Sequence, residues 1–299
     1  MVICEDINVK DQRLLDGLIP VIKIMAQAES SNDSDLTIDF SNTKFISPVF
    51  ALSLIVYLSS CHKKVSMVNT NDYLDTIGII NQGVRTDLLR KTQFIALMEK
   101  YSNRTYIPII AFPSGTNTDE KEAISTVVEN IIIRQSNIER NIAQGIKYMV
   151  DEAIDNITEH SESPFGYIFA QAYPKKGFLD ICIADKGITL KGSYEKLVDN
   201  EISSDLEAIK AANRGISSKN LPEAENRGYG IWTSKRMIVE GLNGQYLMIS
   251  GGNIYHKGPA VDRFYSMPDG LRWNGTLVAL RIPYKLSTQF NYVNYIDLI

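Results

Sequence analysis

Hydrophobic and polar positions follow two periods along the chain, and the switches between them mark its elements. Leu14, Leu15, Leu18, Val21, Ile22 and Met25 recur at helical intervals, predicting an amphipathic helix over 11–28 in which Pro20 is a kink or break. The polar string 29–35 predicts a loop, 36–40 a short strand and 41–44 a turn. Ser47 before Pro48 has the signature of an N-cap followed by a first-turn proline, opening an apolar helix over 49–59. Residues 65–68 read as a strand, and 74–80 and 87–101 as helices.

From Arg104 the pattern restarts. Residues 106–112 read as an edge-type strand containing Pro108, 113–119 as a loop, and 119–134 and 137–160 as helices. A strand over 178–184 runs into the turn Asp185-Lys186-Gly187, and a helical patch covers 205–212. Asn226-Arg227-Gly228-Tyr229-Gly230 leads into a helix over 231–240. A Gly- and Asn-rich interval, 250–274, reads as a hairpin with an irregular excursion, and Asn274-Gly275-Thr276 opens a last apolar strand. Phe290, Tyr292, Tyr295, Leu298 and Ile299 predict that the tail packs on the body.

Composition narrows the class. With 299 residues, 44% hydrophobic, 22% charged and a net charge of −4, the chain fits a globular protein of two domains. A mildly acidic chain without basic runs argues against nucleic acid as the main partner. The first residues lack the layout of a signal peptide, and the longest apolar run, 49–58, is too short to cross a bilayer, so no membrane role is expected. Three scattered cysteines, Cys4, Cys61 and Cys182, suit a reducing cytoplasm rather than a disulfide framework. Cys61-His62 has no second Cys or His pair at ligand spacing, and reads as packing or surface.

The candidate chemistry centres on 148–161. Ile146, Met149, Val150, Ala153 and Ile157 form one apolar stripe, and Glu152, Asn156 and His160, each four residues apart, stack along its edge. Asp151, Asp155 and Thr158 are expected on the outward face. A carboxylate, an amide and an imidazole at such an edge suit an anion with its metal, although alone the row reads as a solvated flank. Likewise Asp185 alone could be a turn former, Gly228 and Gly230 an ordinary loop, and Thr276 a strand residue. The glycines before 231 expose backbone N–H groups, which suit an anion at a helix start.

Together, in this order, these segments resemble the ATP-binding domain shared by DNA gyrase, heat-shock chaperones, histidine kinases and MutL, the GHKL superfamily with its Bergerat fold. The resemblance covers 104–285, and Glu152-x-x-x-Asn156-x-x-x-His160 is most similar to the anti-sigma-factor serine kinases. It implies ATP and Mg²⁺ as cofactors. It further implies Asn156 as the Mg²⁺ ligand, Glu152 as general base and Asp185 as acceptor of the adenine amine, with Gly187 letting the backbone approach the base. Gly228 and Gly230 would cradle phosphates beside Arg227, and Thr276 would support adenine. Residues 188–226 fall where that family has its lid, with Lys186, Lys191, Lys210, Arg214 and Lys219 as further phosphate candidates. The family's D-x-G-x-G is Asp185-Lys186-Gly187-Ile188-Thr189 here, so its second glycine is missing. Residues 30–103 resemble the STAS domain of anti-sigma-factor antagonists, with Ser47 and Pro48 replacing that family's aspartate and acceptor serine. Ser47 then reads as a cap rather than a phosphosite.

The expected fold class is therefore α/β, an α+β sandwich: a STAS-like domain over 1–103, a Bergerat domain over 104–285 and a tail over 286–299. The expected function is that of a cytoplasmic Mg-ATP-binding regulatory protein, a serine/threonine protein kinase or a partner-switch ATPase. Its partner would be a regulatory protein that could accept phosphate, and a homodimer is an open option. The alternatives are an ATP-gated conformational or dimerisation switch without kinase activity and a non-catalytic docking protein.

Overall fold

The computed structural model describes residues 2–4, 13–101, 103–115, 118–136, 138, 140–218, 230–284 and 290–296. The N-terminal part forms a parallel three-stranded sheet from β1 (Val2–Cys4), β2 (Asp35–Asp39) and β3 (Lys64–Val68), in that spatial order. A 3-10 turn, Leu14–Gly17, and α1 (Ile19–Ser30) separate β1 from β2. Pro20 lies in the first turn of α1, where a missing N–H breaks no helical bond, so it starts the helix instead of kinking it. α2 (Pro48–Ser60) follows, with the Ser47 hydroxyl accepting the Phe50 N–H at 3.2 Å. α3 (Asp72–Ile77) ends at Gly78, whose φ of 81° lets the chain reverse. β4 (Val84–Arg85) and α4 (Lys91–Glu99) complete this stretch.

β5 (Ile110–Pro113), α5 (Thr118–Ser136), α6 (Arg140–His160), β6 (Phe165–Tyr173) and β7 (Phe178–Asp185) come next. α7 (Leu190–Tyr194), α8 (Asp205–Ala212) and α9 (Gly230–Arg236) follow, the last widening into a π-helical turn, Met237–Gly241. β8 (Gln245–Gly251), β9 (Asn253–Gly258), β10 (Val261–Ser266), β11 (Trp273–Pro283) and α10 (Val293–Ile296) end the chain's elements. The large sheet has the order β10-β9-β8-β11-β7-β6-β5-β4 and is antiparallel except where β4 joins β5. The protein is thus of mixed α/β class. Because β4 lies outside β5, residues 110–113 are not at the edge; 106–109 meet β6 through a Tyr106–Gln171 bridge and β4 through the Ile109 carbonyl, which accepts the Val84 N–H at 2.7 Å.

The two faces of the large sheet bury different partners. Phe169, Cys182, Leu247, Ile249, Leu277 and Ala279 share a core with α1, α2 and β2. Ile168, Ile181, Ile183, Met248, Leu280 and Ile282 share the other with α6 and the described core residues of α4 and α5. Every residue of α2 from Pro48 to Leu58 is buried, as expected of a helix apolar on all sides. Each large side chain buried this way contributes roughly 1.5–3 kcal/mol. An aromatic chain stitches the N-terminal part to the sheet: Tyr73 stacks on Phe45 at 5.0 Å between centroids, Phe45 meets Tyr173 edge-on at 5.7 Å, and Tyr173 meets Phe178 at 4.7 Å. Arg281 lies over Phe178 and grips Asp180 with two 2.7 Å hydrogen bonds, both charges being buried. In the tail, Phe290 is buried against Gly145 and Gly241.

Candidate functional site

α6 carries the strongest amphipathic pattern among the described helices: Ile146, Met149, Val150 and Ile157 of the expected stripe are buried against the sheet and α5 together with Ile154, whereas Ala153 is only half-buried and, with Met149 and Ile157, borders a neighbouring cleft. Glu152, Asn156 and His160 emerge half-buried along the edge of the stripe, as their spacing predicts. The opposite flank differs from expectation. Asp151 is half-buried with burial raising its pKa, and Asp155 pairs with Lys121, because α5 covers that side; Thr158 alone of the three is exposed.

A cleft opens between α6, the ends of β7 and β11, and the α7–α8 segment. Its lining includes Asn156, His160, Asp185, Thr189, Gly230 and Thr276. Met149, Ile183, Leu190, Tyr246 and Val278 give it apolar walls. The cavity measures about 100 Å³, less than the roughly 300–1,000 Å³ usual for small-molecule sites.

Asp185 ends β7 at the bottom of this cleft, 3% exposed. Its Oδ1 accepts the Gly187 N–H at 2.8 Å and its Oδ2 the Thr276 N–H at 3.2 Å. Burial pushes its pKa up to about 7, and the two backbone donors act the other way without cancelling the shift. Among the described residues no cation pairs with it. Each oxygen retains acceptor capacity, so the carboxylate suits a ligand amine.

The surrounding loops are built for this placement. A Cβ on Gly275 would lie 2.4 Å from both the carbonyl and Oδ1 of Asp185, and its φ is 79°. Ser250 Oγ donates to the Gly275 carbonyl at 3.0 Å, lies 3.3 Å from Thr276 Oγ1 and accepts the Leu190 N–H at 2.9 Å, tying β8, β11 and α7 around the carboxylate. Gly187 is required by a different contact. A Cβ there would lie 1.7 Å from the Ser161 carbonyl, the same oxygen that accepts the Ile188 N–H, so Gly187 packs on the end of α6 and does not itself line the cleft. Thr189, where the resemblance calls for glycine, has φ −73° and caps α7 by accepting the Gly192 N–H at 3.2 Å. A side chain fits there without strain.

Asn156 donates Nδ2 to the Glu152 carbonyl at 2.8 Å. That bond leaves Oδ1 and one N–H of the Asn156 amide for other partners. Glu152 sits one turn earlier with its carboxylate beside Gly230: a Cβ on that glycine would come within 2.1 Å of Oε2. Glu152 is not part of the cleft lining. Arg227, Gly228 and Lys219 lie outside the described residues. Of the other phosphate candidates, Lys186 donates to the Ser59 carbonyl, Lys191 pairs with Glu195, Lys210 sits over the Phe264 ring and Arg214 is exposed. The α7–α8 segment has a small core of its own, Tyr194 with Ala208 and Ala211, and Tyr194 donates its hydroxyl to the Ile216 carbonyl at 2.6 Å.

Ser250, Gly275 as a packing requirement and Tyr194 are contributions that spacing does not reveal, because each acts through a neighbour distant in sequence. Among the described residues no group of three or more His, Cys, Asp or Glu could hold a metal, and no helix is long and apolar enough to cross a membrane. No family model matches the chain, and no curated protein matches it significantly.

Proposed function

We propose that the protein is a Mg-ATP-binding regulator, a protein serine/threonine kinase or partner-switch ATPase with a GHKL-type nucleotide site. The observation that carries this reading is Asp185: a buried carboxylate at the base of an apolar cleft, held by two backbone donors and lacking a cation among the described residues. An exocyclic adenine amine would donate to it. A guanine keto oxygen would set acceptor against acceptor, so the same carboxylate would select adenine. Asn156 Oδ1, at the cleft edge, fits one position of a Mg²⁺ that keeps its waters and takes its remaining ligands from phosphate.

In the kinase reading Glu152 would take the proton of the attacking hydroxyl, and positioning with charge neutralisation would do the rest. The N-terminal part, 1–103, would then serve as a STAS-like module that recruits a regulatory protein. A second reading has its own support. The cavity is narrow, and Glu152 lies beside Gly230 at the cleft wall without itself lining the cleft, which favours an ATP-gated switch whose α7–α8 segment must move before the nucleotide is enclosed.

Calorimetric titration of Mg-ATP and Mg-GTP tests the site. Adenine-selective binding that Asp185→Asn abolishes supports it, and equal or absent binding rejects it. Phosphate transfer from labelled ATP to a partner's Ser or Thr, lost in Glu152→Ala, supports the kinase. Hydrolysis without transfer favours the ATPase, and binding with neither activity favours the switch.

A further inference from the structure

β7, β11 and β8 are neighbours in the large sheet, and each brings one polar side chain to the same level. Thr276 of β11 is the direct cross-strand partner of Ser250 on β8, and the pairing of Leu277 with Ala184 sets Thr276 level with Asp185 on β7. Alternation along the strands places all three on one face. Thr276, Val278 and Leu280 line the cleft with Ile183 and Asp185, whereas Leu277, Ala279 and Ala184 enter the core shared with α1 and α2. Asp185, Thr276 and Ser250 thus form a row across strands roughly 4.8 Å apart, with the Thr276 hydroxyl in the middle and able to turn to either neighbour.

The hydrogens around Ser250 decide which way it turns. A serine hydroxyl has one hydrogen and two lone pairs. The hydrogen goes to the Gly275 carbonyl at 3.0 Å, since a carbonyl can only accept, and the Leu190 N–H takes one lone pair at 2.9 Å. For the 3.3 Å contact between Ser250 Oγ and Thr276 Oγ1, the hydrogen left is the one that Thr276 carries. The Thr276 hydroxyl therefore donates to Ser250, and its lone pairs remain for the cleft. Asp185, on the other side, takes its hydrogen bonds from the Gly187 and Thr276 backbone N–H groups. Ser250 is buried and does not line the cleft, so it acts on a ligand only through Thr276.

We propose that Ser250 is a positioning residue for the base: by holding the Thr276 hydroxyl as an acceptor, it lets the cleft engage both hydrogens of a primary aromatic amine, one at Asp185 and one at Thr276. This rests on the nucleotide reading of the cleft. An amine on an aromatic ring carries two hydrogens in the ring plane, and the row offers two acceptors side by side. Without Ser250 the Thr276 hydroxyl is free to turn its hydrogen to the Asp185 carboxylate. One acceptor is then lost, and the carboxylate is satisfied from within the protein.

Two measurements on the full chain test this. Without nucleotide, carbon-13 NMR follows the Asp185 carboxyl, identified by its loss in Asp185→Asn. In Ser250→Ala it should titrate about one pH unit lower than in the wild type, because the freed hydroxyl favours the charged form. Adding Thr276→Val to Ser250→Ala should cancel that fall. An unchanged titration overturns the role of Ser250, and so does a fall that survives Thr276→Val, which would mean that water has entered beneath α7.

With nucleotide, calorimetry at about pH 8, where the carboxylate form of Asp185 prevails, compares Mg-ATP with the Mg-triphosphate of purine riboside, which lacks the amine. The ratio of the two dissociation constants measures what the amine contributes, and it should shrink about fivefold in Ser250→Ala. A general loosening of the site would weaken both nucleotides alike and leave the ratio unchanged, which overturns the proposal. If the wild type binds neither nucleotide, the nucleotide reading falls and recognition of the amine with it, while the carboxyl titration still decides whether Ser250 sets the Thr276 hydroxyl.

Discussion

Asp185 Oδ2 accepts the backbone N–H of Thr276 at 3.2 Å across 91 positions of sequence. That bond joins the end of β7 to the irregular start of β11 and fixes where the carboxylate points. With Gly187 as the second donor, it makes a buried acid whose state can be read by titration.

The pH dependence of stability follows from the sign of that shift. Burial raises the Asp185 pKa from 3.8 to about 7, so the folded protein holds this proton more tightly than the unfolded chain. Its contribution to stability is full below about pH 4 and is lost as pH rises through 7. Asp185→Asn removes the dependence. Guanidinium unfolding at pH 5 and pH 8 should show the variant gaining on the wild type at the higher pH, by a few kcal/mol at most.

Adenine binding should run the other way. In the proposed nucleotide site the carboxylate form would be the acceptor, so Mg-ATP affinity should fall by up to tenfold per unit as pH drops below about 7. Calorimetry from pH 6 to pH 8 measures this, and a flat profile would mean that Asp185 does not receive the base.

Gly187 and Thr189 should differ sharply in their tolerance of substitution. Gly187→Ala forces a methyl into the Ser161 carbonyl and should cost roughly 3 kcal/mol or more, read as a lower Tm or failure to fold. Thr189→Ala removes only a cap, at about 1 kcal/mol. Thr189→Gly, which restores the glycine of the GHKL pattern, should not improve Mg-ATP affinity, since the backbone there already has an ordinary φ and the change removes a side chain that lines the cleft.

Asp180 and Arg281 form a buried pair whose value depends on both members. Asp180→Asn or Arg281→Met alone should destabilise by about 3–5 kcal/mol, because the remaining charge is stranded. The combination Asp180→Leu with Arg281→Met should recover most of that loss. A double-mutant cycle by chemical denaturation gives the coupling energy directly.

Ser47 should carry no phosphate. Its side chain is 2% exposed and engaged at the start of α2, out of reach of a kinase. Intact-mass analysis with peptide mapping checks this, and Ser47→Ala should lower stability by about 1 kcal/mol through loss of the cap.

Much of this was legible in the chain by itself. The α2 cap, the α6 stripe with its Glu152, Asn156 and His160 edge, the span of α8 and the strand ending in Asp185 all follow from local rules of spacing, capping and propensity, which act within one or two turns. β6 and β8 did not stand out, because strands buried on both faces lose the alternation that marks a strand. The reason for Gly187, the fit of Thr189, the cover that α5 gives Asp151 and the network through Ser250 were decided only in three dimensions. Such features depend on how separate elements close on one another, and the energy that selects them, burial and hydrogen-bond satisfaction between distant residues, has no period along the chain.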